Sequence, residues 1–440
     1  MMISIIFQWD SCFFEWEVLV YRHLCLPGAD NCSYCKGGEH VKYIIILPDG
    51  MADEPLDCLG GKTPLAYADT PNMDALASKS IVGLAKTVPD SMKPGSDVAN
   101  LSVIGYNPAN CYSGRSPLEA LSVGVDMKPT DVVFRCNIVT LSEDEPYAQK
   151  TILDHSAGEI STEDADILMD AIREAFNSEV FQFYTGTSYR HITVWDQGEV
   201  LDFSQPHDHL GEVIGKYLPH HPAFREMMEK SFEILNNHPL NLERAAQGKN
   251  KANSLWFWGA GTKPELQNFK DKTGLSGTMI SAVDLLKGIA VGAGMQVAEV
   301  DGANGSLNTN YLGKAQAALD ALLKQDQDFV YIHVEAPDEM GHQGNVQHKV
   351  QSIERIDKQV VKVVKEGLDA AGVDYRLLIM PDHPTPIRCR THTSDPVPYI
   401  LYDSTVSVQG PAAYTEFEAK NTGRYQPHAH LLIDELIGGK

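Results

Sequence analysis

The chain reads as an α/β protein with a central, mostly parallel sheet flanked by helices, and three observations predict this. First, Tyr43-Ile44-Ile45-Ile46-Leu47, Phe329-Val330-Tyr331-Ile332-His333-Val334 and Leu377-Leu378-Ile379-Met380 are apolar runs of strand length. Runs without polar alternation fit parallel strands covered on both faces. Second, helical patterns fill much of the sequence between them, the alternation expected of a parallel sheet. Third, each run leads into carboxylates or imidazoles: Asp49 after the first, Asp338 and His342 after the second, Asp382 and His383 after the third. Side chains delivered from strand ends are how an α/β sheet builds a binding site.

The elements follow in order from Val41. Asp69-Thr70-Pro71-Asn72 predicts a helix cap with proline in the first turn, and Met73, Leu76 and Ala77 supply the apolar face. Pro94-Gly95-Ser96-Asp97 makes a tight turn before Val98, Leu101 and Ile104 at helical spacing, and Gly105 ends that segment. A serine at such a helix start has backbone N–H groups and a favourable dipole around it, both suited to phosphate. Taken alone, Ser96 would be an ordinary N-cap. Between about 112 and 270 the ligand pattern stops, and strands (Val132 to Val139, Ile192 to Trp195) and helices (Thr162 to Ala175, Ala223 to Leu235) predict an inserted α/β domain. Arg115, Arg135 and Arg190 are its candidate phosphate and carboxylate binders, although an isolated arginine is usually a solvated surface charge. Ile280 to Gly294 then has a helical pattern, and Asn308 to Lys314 begins another helix in which Lys314 either reaches a phosphate or is a solvated helix lysine. No Walker A or dinucleotide fingerprint occurs, and no internal repeat or low-complexity tract interrupts this half.

The residue types at the strand ends carry the chemistry. Asp49, Asp338, His342, Asp382, His383 and the later His392, in Thr391-His392-Thr393-Ser394, make two clusters with a serine between them. Carboxylate oxygen and neutral imidazole suit Mn²⁺ or Zn²⁺, and the absence of cysteine from the set argues against a structural zinc finger. Two metals roughly 3.5 to 4 Å apart, or somewhat more, can clamp the attacking and leaving oxygens of an in-line phosphoryl displacement. A serine hydroxyl beside such metals is activated as a nucleophile. Each ligand alone has a plain reading as a turn, cap or helix-surface pair; the joint pattern favours metal.

Composition bounds the function. At 440 residues and 43% hydrophobic content the chain can bury a large core, and two domains are expected. A formal net charge of -23 disfavours nucleic acid and anionic membrane as partners, since both need a basic face. An anionic substrate must therefore be met locally, by metals and a few focused arginines and lysines. No run of 18 or more apolar residues occurs, so no membrane-spanning helix is expected. A small phosphorylated molecule is the expected ligand, and self-association into a homo-oligomer is compatible with this composition.

Residues 1–40 do not fit the rest. They hold Cys12, Cys25, Cys32 and Cys35, four of the eight cysteines, but no second Cys-x-x-Cys or His pair completes a zinc site. They lack the basic start, continuous apolar run and small-residue cleavage site of a signal peptide. Lys36-Gly37-Gly38-Glu39 can be encoded by a purine run resembling a ribosome-binding site, and Val41 by a GTG start codon. The expectation is an over-extended reading of the gene start, against a genuine but poorly packed extension. The other cysteines are scattered singly, as in a reduced cytoplasmic protein.

From Val41 onward the chain resembles the archaeal-type, cofactor-independent (2,3-bisphosphoglycerate-independent) phosphoglycerate mutases, a branch of the alkaline phosphatase superfamily. The stretches that carry the resemblance are Tyr43–Met51, Thr70–Leu76, Pro94–Tyr106, Gly114–Ala120, Arg135–Asn137, Val334–His342 and His392–Pro398. It implies an alkaline-phosphatase-like core from 41–111 and 271–440, with 112–270 as an inserted domain that closes over substrate. It implies interconversion of 3-phosphoglycerate and 2-phosphoglycerate through a phosphoserine at Ser96. Two divalent ions are implied, Mn²⁺ first with Zn²⁺, Co²⁺ or Mg²⁺ as alternatives, and neither nucleotide nor 2,3-bisphosphoglycerate. Asp338, His342 and His392 would hold one ion; Asp49, Asp382, His383 and Ser96 the other. Ser188-Tyr189-Arg190-His191 resembles the family's substrate-side motif and favours Arg190. One departure stands out: Asp154-His155-Ser156-Ala157-Gly158-Glu159 carries glutamate where the family typically has histidine, and histidine four residues earlier. His155 is the candidate to take over a substrate-side role, while Glu159 opens other acceptors. The alternatives are a homoserine kinase-like phosphotransferase of threonine biosynthesis and a metal-dependent phosphomonoesterase; a non-catalytic relative is disfavoured because all seven ligand positions are filled.

Overall fold

A computed structural model describes residues 41–438, and the expectations for residues 1–40, the Cys32–Cys35 pair and the gene start among them, lie outside the described residues. Thirteen strands form two sheets among the described residues: β1 (Lys42–Pro48), β2 (Ile81–Ala85), β3 (Val132–Leu141), β4 (Ile152–Asp154), β5 (Phe181–Tyr184), β6 (Arg190–Trp195), β7 (Ser254–Thr262), β8 (Gly277–Ile280), β9 (Gln296–Val297), β10 (Phe329–Val334), β11 (Tyr375–Ile379), β12 (Val397–Asp403) and β13 (Tyr425–Gln426). The larger sheet has eight strands in the order β13-β2-β12-β11-β1-β10-β8-β9. Its centre is parallel, β1 pairing with both β10 and β11, and β12 is antiparallel to β11 and β2. The smaller sheet has five strands, all antiparallel, with β3 pairing β4, β6 and β7.

Burial explains the apolar runs. Ile44, Ile45, Ile46 and Leu47 of β1 are all fully buried because the sheet is covered on both faces. Alternate residues face opposite layers: Ile44 and Ile46 join Val330, Ile332, Leu377 and Ile379 in one core, while Ile45 and Leu47 join Tyr331, Leu378 and Met380 in the other. The smaller sheet buries Phe134, Cys136, Ile138 and Phe257 against its own helices, Thr162–Phe176 and Pro222–Asn236.

Two local expectations are corrected. Ile280 to Gly294 is not one helix: Ile280 ends β8, and the helix runs Asp284–Gly292, because Gly277–Ile280 pairs in parallel with β10 and tertiary pairing overrides the helical spacing. The helix Pro71–Ala77 begins where expected, but Thr70 makes no side-chain cap hydrogen bond. Its N-terminus is met instead by the buried Asp357 carboxylate, which accepts from Asn72 N at 3.3 Å, Asn72 Nδ2 at 2.6 Å and Met73 N at 2.7 Å. A carboxylate there satisfies orphan donors and complements the helix dipole.

The helix Arg115–Ser122 bridges the two sheets. Leu118 packs in the core of the large sheet, while Ala120 packs with Val133, Ile192 and Val194 of the small one. It lies so close to the helix Asp284–Gly292 that a Cβ at Gly288 would overlap the Leu118 carbonyl oxygen. No described helix is long and apolar enough to cross a membrane.

Candidate active site

Because β11, β1 and β10 are parallel neighbours, their C-terminal ends open on the same edge of the sheet, where α/β folds place their crevices. Asp49 and Gly50 follow β1, Asp382 and His383 follow β11, and β10 leads into the helix Ala336–His342 carrying Asp338 and His342. Gly50 has φ of 59°, and a Cβ there would strike the Asp338 carboxylate and the Thr385 hydroxyl. Glycine is therefore required both by the left-handed backbone and by the close approach of these two strand ends.

Two groups of converging donor atoms result. Asp49, Asp382 and His383 form one and Asp338, His383 and His392 the other, the donor atoms of each group lying within 4.8 Å of one another. His342 belongs with the second: its Nε2 is 3.1 Å from Asp338 Oδ2 and 3.0 Å from His392 Nε2, and its Nδ1 lies 2.9 Å from the Arg390 carbonyl oxygen. His383 thus stands between the groups, where the sequence-based expectation gave it to one alone. Its Nε2 is also 3.1 Å from Ser96 Oγ, the first residue of the helix Ser96–Val103. One turn along that helix, Asn100 donates from Nδ2 to the Ser96 carbonyl and to Asp382 Oδ2, both at 2.8 Å. Asp382 Oδ1 accepts from the backbone N–H of Gly50 and of His383, at 3.1 and 2.9 Å.

Burial and the mutual charges of these groups set the electrostatics of the cluster. Burial, then the nearby Asp382 and Asp338 charges, push Asp49 well above the usual carboxylate range. Burial would raise Asp338 too, but hydrogen bonds from His342 and His392 hold it well below that range. The Asp338 hydrogen bond lifts His342 to about 9, whereas burial lowers His383. Asp49 Oδ1 is buried without a hydrogen-bond partner. Three convergent carboxylates and a bare buried oxygen are costly unless a cation meets them. The oxygen and imidazole donors, with no thiol in either group, fit a divalent ion of the Mn²⁺ or Zn²⁺ type.

Beside this cluster lies a cleft of about 520 Å³ whose lining includes Arg115, Glu119, Arg190, Asp284, Glu335 and Glu339. Glu119 organises the arginines: its carboxylate pairs with Arg115 Nε at 2.9 Å and with Arg135 Nε at 2.8 Å. Burial opposes the Glu119 charge, but Arg135 and Arg115 win and hold its carboxyl at about 2. The Arg135 guanidinium also stacks on Trp258, 4.6 Å from the ring centroid, and is not part of the cleft lining. Arg190 faces the cleft and packs over Tyr189. Burial, with Glu339 and Asp338 adding to it, raises Glu335 to about 7.

Four groups expected on the substrate side, Arg135 above and the three that follow, are not among the residues lining this cleft. Lys314 is fully buried and donates from Nζ to the His333 carbonyl at 2.7 Å; the helix Tyr311–Leu323 turns it into the core, so it is neither a solvated lysine nor part of the cleft lining. His155 lies edge-on to Tyr189 and His207, with ring centroids 5.7 and 6.0 Å away, outside the cleft lining. Glu159 is an exposed turn residue with φ of 50° and is likewise absent from that lining, so the departure from the family pattern falls on an outer turn. Sequence reasoning missed Glu119, Asn100, His333 and Ser281. A histidine inside an otherwise apolar strand was the one signal available for His333.

Fold and site together define an α/β enzyme class in which parallel strand ends gather carboxylates and imidazoles around a helix-start serine. A family profile described as 2,3-bisphosphoglycerate-independent phosphoglycerate mutase matches residues 77–241. The probable 2,3-bisphosphoglycerate-independent phosphoglycerate mutase of Geobacter sulfurreducens is 48% identical over 403 residues, 90% of this chain and 100% of that protein. The enzyme of that name from Methanosarcina mazei is 47% identical over 403 residues, with the same coverage of 90% and 100%. Among solved structures, the PH0037 protein of Pyrococcus horikoshii superposes with a TM-score of 0.75 at 31% identity, over 92% of this chain and 99% of that one. The cofactor-independent phosphoglycerate mutase of Thermoplasma acidophilum gives 0.62 at 27% identity, over 90% of this chain and 99% of that one. The chain belongs to the 2,3-bisphosphoglycerate-independent phosphoglycerate mutase family.

Proposed function

We propose that this protein interconverts 3-phosphoglycerate and 2-phosphoglycerate through a phosphoserine at Ser96, without 2,3-bisphosphoglycerate or nucleotide, in the cytoplasm. The observation that carries the reading is the placement of Ser96 Oγ 3.1 Å from His383, the imidazole shared by two groups of carboxylate and imidazole donors. Family membership supports the reaction and disfavours the homoserine-directed alternative, and Glu159, the departure that opened other acceptors, is exposed outside the cleft lining.

Asp338, His342 and His392 would hold one divalent ion, and Asp49, Asp382 and Ser96 the other, with His383 at their junction; Mn²⁺ is the first choice. When bound, the ions would supply positive charge against the phosphoryl oxygens and lower the pKa of the serine hydroxyl. Ser96 Oγ forms its bond to phosphorus as the bond to the glycerate oxygen breaks, and the proton lost by the serine is balanced by one gained by that oxygen. The glycerate turns within the cleft, and its other hydroxyl takes the phosphoryl group back. Arg115 and Arg190 hold the substrate's carboxylate and phosphate by charge-assisted hydrogen bonds, Glu119 fixes Arg115 and Arg135, and His155 lies behind Tyr189 and Arg190. We also read 112–270 as a closing domain on a catalytic body of 41–111 and 271–440. Cleft residues on both sides, Arg115 and Arg190 facing Asp284 and Glu335, support that division. Closure keeps water from the phosphoserine, which hydrolysis would otherwise turn into a phosphatase intermediate. Brief incubation with 3-phosphoglycerate followed by peptide mass spectrometry tests this: phosphate on Ser96 is expected, and phosphate on another residue, or none after rapid quench of an active enzyme, contradicts it.

A further inference from the structure

We propose that His333, backed by Ser281, is a positioning residue that fixes the Asp49 carboxylate with Oδ2 occupied and Oδ1 turned to the metal position, an inference that rests on the metal reading above.

His333 lies in β10 between Ile332 and Val334 and is fully buried. An imidazole in that setting is costly unless both nitrogens are bonded. Both are: Nδ1 is 3.1 Å from Ser281 Oγ, and Nε2 is 2.8 Å from Asp49 Oδ2. The direction of the chain follows from the Asp49 end. An ionised, metal-binding carboxylate can only accept, so the imidazole proton sits on Nε2, facing Asp49. Nδ1 is then the acceptor and takes the Ser281 hydroxyl proton, while Ser281 Oγ accepts from the Val283 backbone N–H at 3.0 Å. A neutral imidazole has one donor and one acceptor, the pair this chain uses.

The consequence falls on Asp49. With Oδ2 engaged, rotation of the carboxylate would break a buried hydrogen bond, and the unpartnered Oδ1 stays on the side of His383, whose Nε2 lies 3.7 Å from it. Strand geometry extends the device. Tyr331, two residues before His333, shares its face of the sheet and donates from its hydroxyl to Asn100 Oδ1 at 2.6 Å. Asn100 in turn holds Asp382 Oδ2. One face of β10 therefore orients both carboxylates of the same group before any ion arrives, which reduces the reorganisation that binding requires.

The test is calorimetric titration of the chelator-stripped full chain with Mn²⁺ and with Zn²⁺, for the parent and for His333→Leu, His333→Gln and Ser281→Ala. Gln places an amide N–H near the position of Nε2, whereas Leu has no donor. The expectation is that His333→Leu weakens one of the two ions by at least about tenfold and leaves the other unchanged, that His333→Gln recovers part of the loss, and that Ser281→Ala weakens the same ion. Should His333→Leu fail to fold, Ser281→Ala and His333→Gln carry the comparison. Parent-like affinity for both ions in folded variants overturns the proposal, as does equal weakening of both. A parent that binds no divalent ion instead refutes the metal reading itself, a result visible before any variant is made. Imidazole nitrogen shifts in the Zn²⁺-loaded parent, where Asp49 is ionised, test the chain by a second readout: His333 carrying its proton on Nε2 is expected, and a proton on Nδ1 overturns the assignment.

Discussion

Ser96 Oγ lies 3.1 Å from Nε2 of His383, the imidazole common to both groups of acidic and histidine donors. A hydroxyl so placed stands at the start of the helix Ser96–Val103, beside an imidazole and a positive helix end, both of which favour its alkoxide. Ser96→Ala is expected to fold and to reduce turnover by a factor on the order of 10³ or more, since a methyl cannot attack phosphorus. Turnover within tenfold of the parent would remove Ser96 from the role.

His383 and His342 make different demands on the metals. His383→Ala is expected to weaken both ions, because its ring belongs to both groups, whereas His342→Ala weakens the one near Asp338 and His392. Chelation should abolish activity, and Mn²⁺ should restore it better than Mg²⁺, because three imidazoles favour a borderline ion over one that prefers oxygen and water. Metal counting by mass spectrometry of the native protein checks the first statement and an add-back assay the second. Two full sites in His383→Ala would contradict the shared placement.

Glu119 is predicted to couple stability to acid. Its carboxyl is held at about 2 by Arg135 and Arg115 against burial, below an ordinary value of 4.5. A depressed pKa contributes stability that is fully present above the unfolded value and lost as pH falls through the folded one. The window is therefore from about pH 4.5 down to about 2, and the magnitude is on the order of 3 kcal/mol. Urea unfolding at pH 6 and pH 3 should show Glu119→Gln destabilised at pH 6 and the gap from the parent narrowing at pH 3. The same variant should raise KM more than it lowers kcat, because it loosens Arg115 without touching Ser96. A pH-independent gap would contradict the assignment.

Gly288→Ala is predicted to destabilise by about 1–3 kcal/mol, since the added methyl would overlap the Leu118 carbonyl where two helices cross. Thermal unfolding measures this directly, and a parent-like midpoint would show that the two helices are not locked together as described.

The central strands were legible because burial on both faces leaves an unbroken apolar run, as in Ile44 to Leu47, and the convergence of Asp49, Asp382 and His383 because acids and imidazoles at strand ends have few other uses. Tertiary partners were not legible. Nothing near Thr70 announces that Asp357 will cap its helix, and nothing near Ile280 announces that it pairs with Ile332 in a sheet. Lys314 illustrates the same limit at the site. Its helical position was read correctly, but which face of the Tyr311–Leu323 helix meets β10 decides whether it is solvated or donates to the His333 carbonyl, and that depends on packing far along the chain.

The most direct measurement is conversion of 3-phosphoglycerate by the purified, Mn²⁺-loaded protein, coupled to enolase, with no nucleotide and no 2,3-bisphosphoglycerate, alongside assays for free phosphate and for phosphohomoserine with candidate phosphoryl donors. The account predicts sustained formation of 2-phosphoglycerate, little free phosphate and no phosphohomoserine. Release of phosphate without 2-phosphoglycerate, or phosphohomoserine in its place, would contradict it.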